Sequence, residues 1–241
     1  MKKGLLLIFA AIVCTTVFNS CRPIIGEGKV VDQNRSLSGF TGVDVALPFD
    51  VEIVVNEAAP TSVVVRGYEN LMSHIKTEVK DGNLKIYATG LNYVVDDSPV
   101  VVKVTVPSLT SINVSGTADV EVKGKITGTN FNAGLSGAGS IEIADLNVNT
   151  FNAHISGTGS MDIDTGTVQS AGYSLSGVGS ISAFSLICND VNAHVSGTGS
   201  IELMAQHTLN ASVSGVGSIE YKGHPALTLH TSGVGSIEEA N

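Results

Sequence analysis

Carboxylates recur at one place in a signature repeated through the second half of the chain. Glu121, Glu142, Asp162, Glu202, Glu220 and Glu238 each follow the apolar residue that closes a copy of it, and Ser182 takes the remaining place. Neighbouring strands lie ~4.8 Å apart. At that spacing stacked carboxylates repel one another unless water or a cation lies between them. One reading is a Ca²⁺ ladder, because Ca²⁺ takes roughly six to eight oxygen ligands. The other is a solvated acidic stripe that keeps one strand face soluble. The Ca²⁺-binding nonapeptide roll needs Asp in its glycine turns; serine stands in these turns, so that mechanism is rejected.

Other polar residues repeat in the same way. Asn132, Asn152, Asn192 and Asn210 share one position, where stacked amides can hydrogen-bond along a ladder. They are either a structural ladder or a strip that contacts a glycan. His154, His194 and His230 share another position, two repeats apart and so separated by about 10 Å. That is too far for one tetrahedral metal, whose nitrogen ligands lie ~2 Å away. Ser140, Ser160, Ser180, Ser200, Ser218 and Ser236 read as turn hydroxyls bonded to backbone. None has the neighbouring His and carboxylate that activate a nucleophile. The Gly-x-Gly turns are followed by neither a helix nor a lysine, so they are not phosphate loops. No catalytic residue, metal site or cofactor is expected.

The signature is Ser-Gly-x-Gly-Ser-Ile. It begins at Ser136, Ser156, Ser176, Ser196, Ser214 and Ser232, with Met161 replacing Ile once, and a variant at Ser115 carries Ala118 and Asp119. The first glycines are 21, 20, 20, 20, 18 and 18 residues apart, the regularity of a solenoid. Apolar residues fall at every second position before each copy, as in Phe151, Ala153, Ile155 and in Val191, Ala193, Val195. Period two marks a strand with one buried face. The expected fold is therefore all-β: a parallel β-helix of 18–21-residue rungs. A single rung leaves its edges and both open ends of its core uncovered, so neighbours must stack. Residues 35–108 lack the signature but alternate in Val43, Val45, Leu47 and Val51, Ile53, Val55, and Asp81-Gly82 marks a hairpin turn. They are expected to form irregular first rungs and a cap. Regular repeats follow over residues 109–241, and residues 35–241 form one continuous domain. The last repeat ends without a polar cap, so this edge is expected to pair with a partner, with another copy, or with nothing.

Composition narrows the function. The chain has 241 residues, a net charge of −9 and only 15% charged residues, which argues against nucleic acid as a partner. There is no Trp for stacking on sugars. Met1-Lys2-Lys3 and the apolar run Gly4–Phe18 have the layout of a secretory signal over residues 1–20. Asn19-Ser20-Cys21 resembles the lipobox of bacterial lipoproteins, with Phe18 where Leu is usual. Lipidation of Cys21 would anchor the chain to a membrane through residues 21–34 as a linker. Cys14 leaves with the signal, so Cys188 has no disulfide partner.

The segment Arg35-Ser36-Leu37-Ser38-Gly39-Phe40-Thr41-Gly42-Val43-Asp44-Val45 resembles the opening motif of a bacterial family, and the Ser-Gly-x-Gly-Ser-Ile copies resemble its second half. The family is that of putative auto-transporter adhesins with a head GIN domain, common as lipoproteins in the Bacteroidota. The resemblance spans about Gly28 to Glu238. It implies a right-handed parallel β-helix in the cell envelope and assigns no catalytic or binding residues. In that phylum an acidic cluster after the lipidated cysteine often accompanies surface export. Arg22–Glu27 carries none, which leaves the side of the outer membrane open. The reading is a non-catalytic outer-membrane lipoprotein that binds glycan, matrix or another envelope protein. The alternatives are a structural or envelope-stress protein facing the periplasm, and a polysaccharide-degrading β-helix enzyme.

Overall fold

The computed structural model describes residues 24–90, 94–95 and 100–240. The expected signal peptide and Cys21 lie outside the described residues. The chain is a parallel β-solenoid whose repeats stack as the signature spacing requires. Strand Thr198–Val213 shows why. Ile201, Leu203, Leu209, Ala211 and Val213 are buried, while Glu202, Asn210 and Ser212 point away from the core. The corners join the ladder as well. Ser156 N–H donates to Leu135 O at 2.9 Å and Thr158 N–H to Gly137 O at 2.9 Å.

Each rung contributes to two long faces and one short face. The first long face stacks the signature itself, with Ile141, Met161, Ile181, Ile201, Ile219 and Ile237 in one column. The second stacks the segments that precede each Ser-Gly, with Phe131, Phe151, Ala171, Val191, Leu209 and Leu227 in register. The short face runs through Ile126, Leu146, Gly166 and Leu186. It absorbs the change from 20- to 18-residue spacing. The register shifts between Ala183 and Ile187 and between Cys188 and Asp190, and both long faces stay in step.

Core columns compensate in volume. Phe131 and Phe151 stack with ring centroids 6.0 Å apart. The next residue in that column is Ala171, and Tyr173 fills the space from the adjacent column, edge-on to Phe151 at 6.0 Å. Tyr173 Oη lies 3.5 Å from the buried Cys188 thiol, whose Sγ donates to Leu186 O. Burial, the larger cause, pushes the Cys188 thiol up to about 11, against a smaller opposing effect of the Tyr173 hydrogen bond. The thiolate is the reactive form. Iodoacetamide at pH 8 is therefore expected to leave Cys188 unmodified in the folded chain and to alkylate it in urea, which mass spectrometry of the intact protein reads directly. Stability should also fall as pH rises from about 8.5, where an unfolded cysteine ionises, towards 11, because only the folded state then holds the proton.

The first part of the chain joins the stack out of sequence order. Gly42–Ala46 lies between Asn83–Ala88 and Ser111–Val114. Asp50–Val55 lies between Val101–Val106 and the first rung of Thr117–Leu135. The intervening residues fold back antiparallel. Ser62–Tyr68 pairs with Val101–Val106 and with Val30–Arg35, and Ile75–Lys80 forms a hairpin with Asn83–Ala88. Asp81 and Gly82 both have positive φ in its two-residue turn, the twist that such hairpins prefer.

Candidate polar faces of the solenoid

The two long faces present different chemistry. On the first, the acidic column is in register from Glu121 through Glu142, Asp162, Ser182, Glu202 and Glu220 to Glu238. The structure extends it upward to Glu52 and Lys103, which sequence reasoning missed because the inserted strand Asp50–Val55 lies about 70 residues away in the chain. Lys123 Nζ lies 3.1 Å from Glu121 and 3.5 Å from Glu52, and Lys103 Nζ lies 3.5 Å from Glu52. The Glu121 hydrogen bond, ahead of the Glu52 charge, holds Lys123 above its ordinary value despite some desolvation. Asp50, Glu52, Asp119, Glu121 and Glu142 line a depression of about 430 Å³. Among the described residues, no group of three or more His, Cys, Asp or Glu side chains is placed to hold a metal ion.

The second face is nearly free of charge along the repeats. Its amide column runs Ser111, Asn132, Asn152, Gly172, Asn192, Asn210, Thr228. Asn152 Nδ2 donates to Asn132 Oδ1 at 3.1 Å, and Asn210 Nδ2 to Asn192 Oδ1 at 3.3 Å. The four asparagines are thus two bonded pairs rather than one ladder, because Gly172 occupies the rung between them. The adjacent column runs Asn113, Gly134, His154, Ser174, His194, Ser212, His230. At Gly172 and Ser174 the side chains are small, and a depression of about 330 Å³ opens between Asn152 and His154 on one side and Asn192 and His194 on the other.

The serines divide into two groups. The first serine of the signature bonds to the backbone: the hydroxyls of Ser115, Ser136 and Ser176 donate to Val45 O, Val114 O and Ile155 O at 3.3–3.5 Å. In the second series, Ser140 instead donates to Asp119 at 2.6 Å. A further contact joins Ser212 Oγ and His194 Nδ1 at 2.6 Å. This pair is exposed on the strand face, and among the described residues no carboxylate is hydrogen-bonded to the other ring nitrogen. It lacks the orienting third group that activates such a serine.

The fold and the two displayed faces define a class: a parallel β-solenoid protein whose repeats arrange side chains in straight surface columns. The chain belongs to the family described as putative auto-transporter adhesin, head GIN domain, whose model matches residues 39–225. A crystal structure of a putative adhesin from Bacteroides fragilis is similar at 29% identity and a TM-score of 0.86, covering 90% of this chain and 100% of that one. One of a putative adhesin from Parabacteroides distasonis is similar at 27% identity and a TM-score of 0.71, covering 91% and 100%. A protein of that species named a putative lipid binding protein shares the fold, at 22% identity and a TM-score of 0.69, covering 91% and 100%. No curated protein matches the chain. Among the described residues, no helix is long and apolar enough to cross a membrane.

Proposed function

We propose that this chain is a non-catalytic adhesin of the cell envelope, a lipoprotein anchored through Cys21, and that its amide and imidazole face binds a glycan. The observation that carries the reading is the depression at Gly172 and Ser174, bordered by Asn152, His154, Asn192 and His194. Each Asn pair spends one N–H and one carbonyl on the other, leaving amide groups free for hydroxyls. Successive rungs repeat at ~4.8 Å, so an extended polymer meets the same groups again along its length. Hydrogen bonds rather than stacking on a large ring would hold it, since Tyr173, the one tyrosine lining the depression, is buried and neither Phe nor Trp lines it. The acidic face stays in solvent.

Gly172→Asn tests the reading. The backbone at Gly172 is not in the left-handed region, and an added Cβ would meet only the Asn152 side-chain oxygen, at 2.8 Å. The variant should therefore fold, extend the amide ladder and fill the depression. Wild-type protein on an array of neutral polysaccharides is expected to retain a subset of them, with binding insensitive to salt because the face is nearly uncharged. Gly172→Asn and the double change Asn192→Ala with His194→Ala should each weaken that binding at least about tenfold, or ~1.4 kcal/mol. If no saccharide is retained, the glycan reading fails. Equal binding by wild type and variants would place the contact elsewhere.

A further inference from the structure

The two ends of the solenoid are finished differently. At the first end each long face closes on an antiparallel strand, Val30–Arg35 on one and Ile75–Lys80 on the other. Those strands carry Asp32, Arg35, Lys76, Glu78 and Lys80. Charges on an edge strand are a common means of blocking further pairing. At the other end the last strands remain parallel, and Ala226–Thr231 and Val234–Glu239 each pair on one side only among the described residues. Ala226–Thr231 contains no Asp, Glu, Lys or Arg.

Among the described residues the core is open at this end. Leu227 and Leu229 continue the columns of Leu209 and Ala211, which are each 1% exposed, yet they are 46% and 43% exposed themselves. Among the described residues no further rung covers them, and one side of each faces outward. Unpaired backbone edge and uncovered leucines lie on the same strand. An apolar strand edge of this kind is a template for another strand.

We infer that Ala226–Thr231 pairs with its own copy in a second molecule, joining two solenoids end to end about a two-fold axis. Head-to-tail stacking would instead set this apolar edge against the charged strands of the first end. A two-fold pairing makes the strands antiparallel. With the axis through Thr228, Leu227 faces Leu229 of the second copy on the core side, Thr228 faces Thr228 on the outer side, and no like charges oppose within the pair. The contact is self-complementary and closes at two molecules instead of growing into a fibre. The second strand at this end carries Glu238 and Glu239, so the pairing runs through Ala226–Thr231 alone.

The test uses the full chain in detergent, followed by native mass spectrometry across a dilution series. A dimer is expected at micromolar concentration. Leu229→Lys places a charge at the centre of the joint and should raise the dissociation constant at least about 100-fold with the circular dichroism unchanged. Thr228→Cys should form an intermolecular disulfide under mild oxidation, while wild type and Thr77→Cys, on the charged first end, should not. A monomer at ~50 µM, far above a micromolar dissociation constant, overturns the inference. So does a dimer that survives Leu229→Lys. Should Leu229→Lys fail to fold, the Thr228→Cys cross-link decides the question: its absence overturns the pairing.

Discussion

Gly177→Ala is expected to destabilise the folded chain by about 3 kcal/mol or more, read as a drop in the urea midpoint with the slope retained. A Cβ at Gly177 would lie 1.9 Å from the carbonyl oxygen of Gly157 and 2.7 Å from the carbonyl carbon and oxygen of Ser156. These are backbone atoms of the preceding rung, and Gly157 O is already committed to Val178 N–H at 3.0 Å. No side chain can swing aside, so the rungs themselves must separate. The same contact recurs at Gly137, Gly157, Gly197, Gly215 and Gly233, which is why the signature keeps this glycine in every copy. Gly233→Ala makes a similar clash with Gly215 O at 2.1 Å, but among the described residues its strand pairs on one side only. The last rung can detach, and the expected cost falls to about 1 kcal/mol, since solenoid stability is roughly a sum over neighbouring rungs. Equal losses at the two sites would contradict this account.

Phe151→Ala should cost about 3–5 kcal/mol by the same measurement. Phe151 is fully buried and bridges Phe131 and Tyr173, with both ring centroids 6.0 Å away. Its column continues as Ala171, too short to fill the space, and the Tyr173 hydroxyl is held at Cys188. The cavity therefore stays open rather than collapsing. Asn152→Ala, the next residue on the exposed side of the same strand, should cost no more than about 1 kcal/mol, since it removes one exposed amide hydrogen bond. The contrast separates the core role of the strand from its surface role: Asn152→Ala belongs to the binding assay and Phe151→Ala to the unfolding assay.

Much of the candidate surface is legible in the sequence. The columns of Glu142, Asn152 and His154 follow from three facts in the sequence: the repeat length, the period-two burial and the Ser-Gly signature that sets the phase. Gly172 is not recognisable from the sequence as the break in the amide ladder. One glycine among 27 carries no signal of its own, and its meaning comes from Asn152 and Asn192 on either side. The contact between Ser212 and His194 likewise needed the registered stack, because the two stand 18 residues apart in the chain. Glu52 was invisible for a stronger reason, since no repeat unit marks the strand that brings it beside Glu121.

The all-β class, the stacking of the repeats and which side chains face out in residues 109–241 are all written in the chain's residue pattern. Each of these depends on contacts between one rung and the next, and the repeated spacing of about 20 residues sets those contacts out in order. Where Gly42–Ala46 and Asp50–Val55 enter the stack, how antiparallel strands close the first end, and where the amide ladder is interrupted emerge from the assembled fold alone. Those depend on pairings between segments far apart in sequence. The loop-closure cost of such pairings is offset only by the assembled fold, so no local pattern of residues records them.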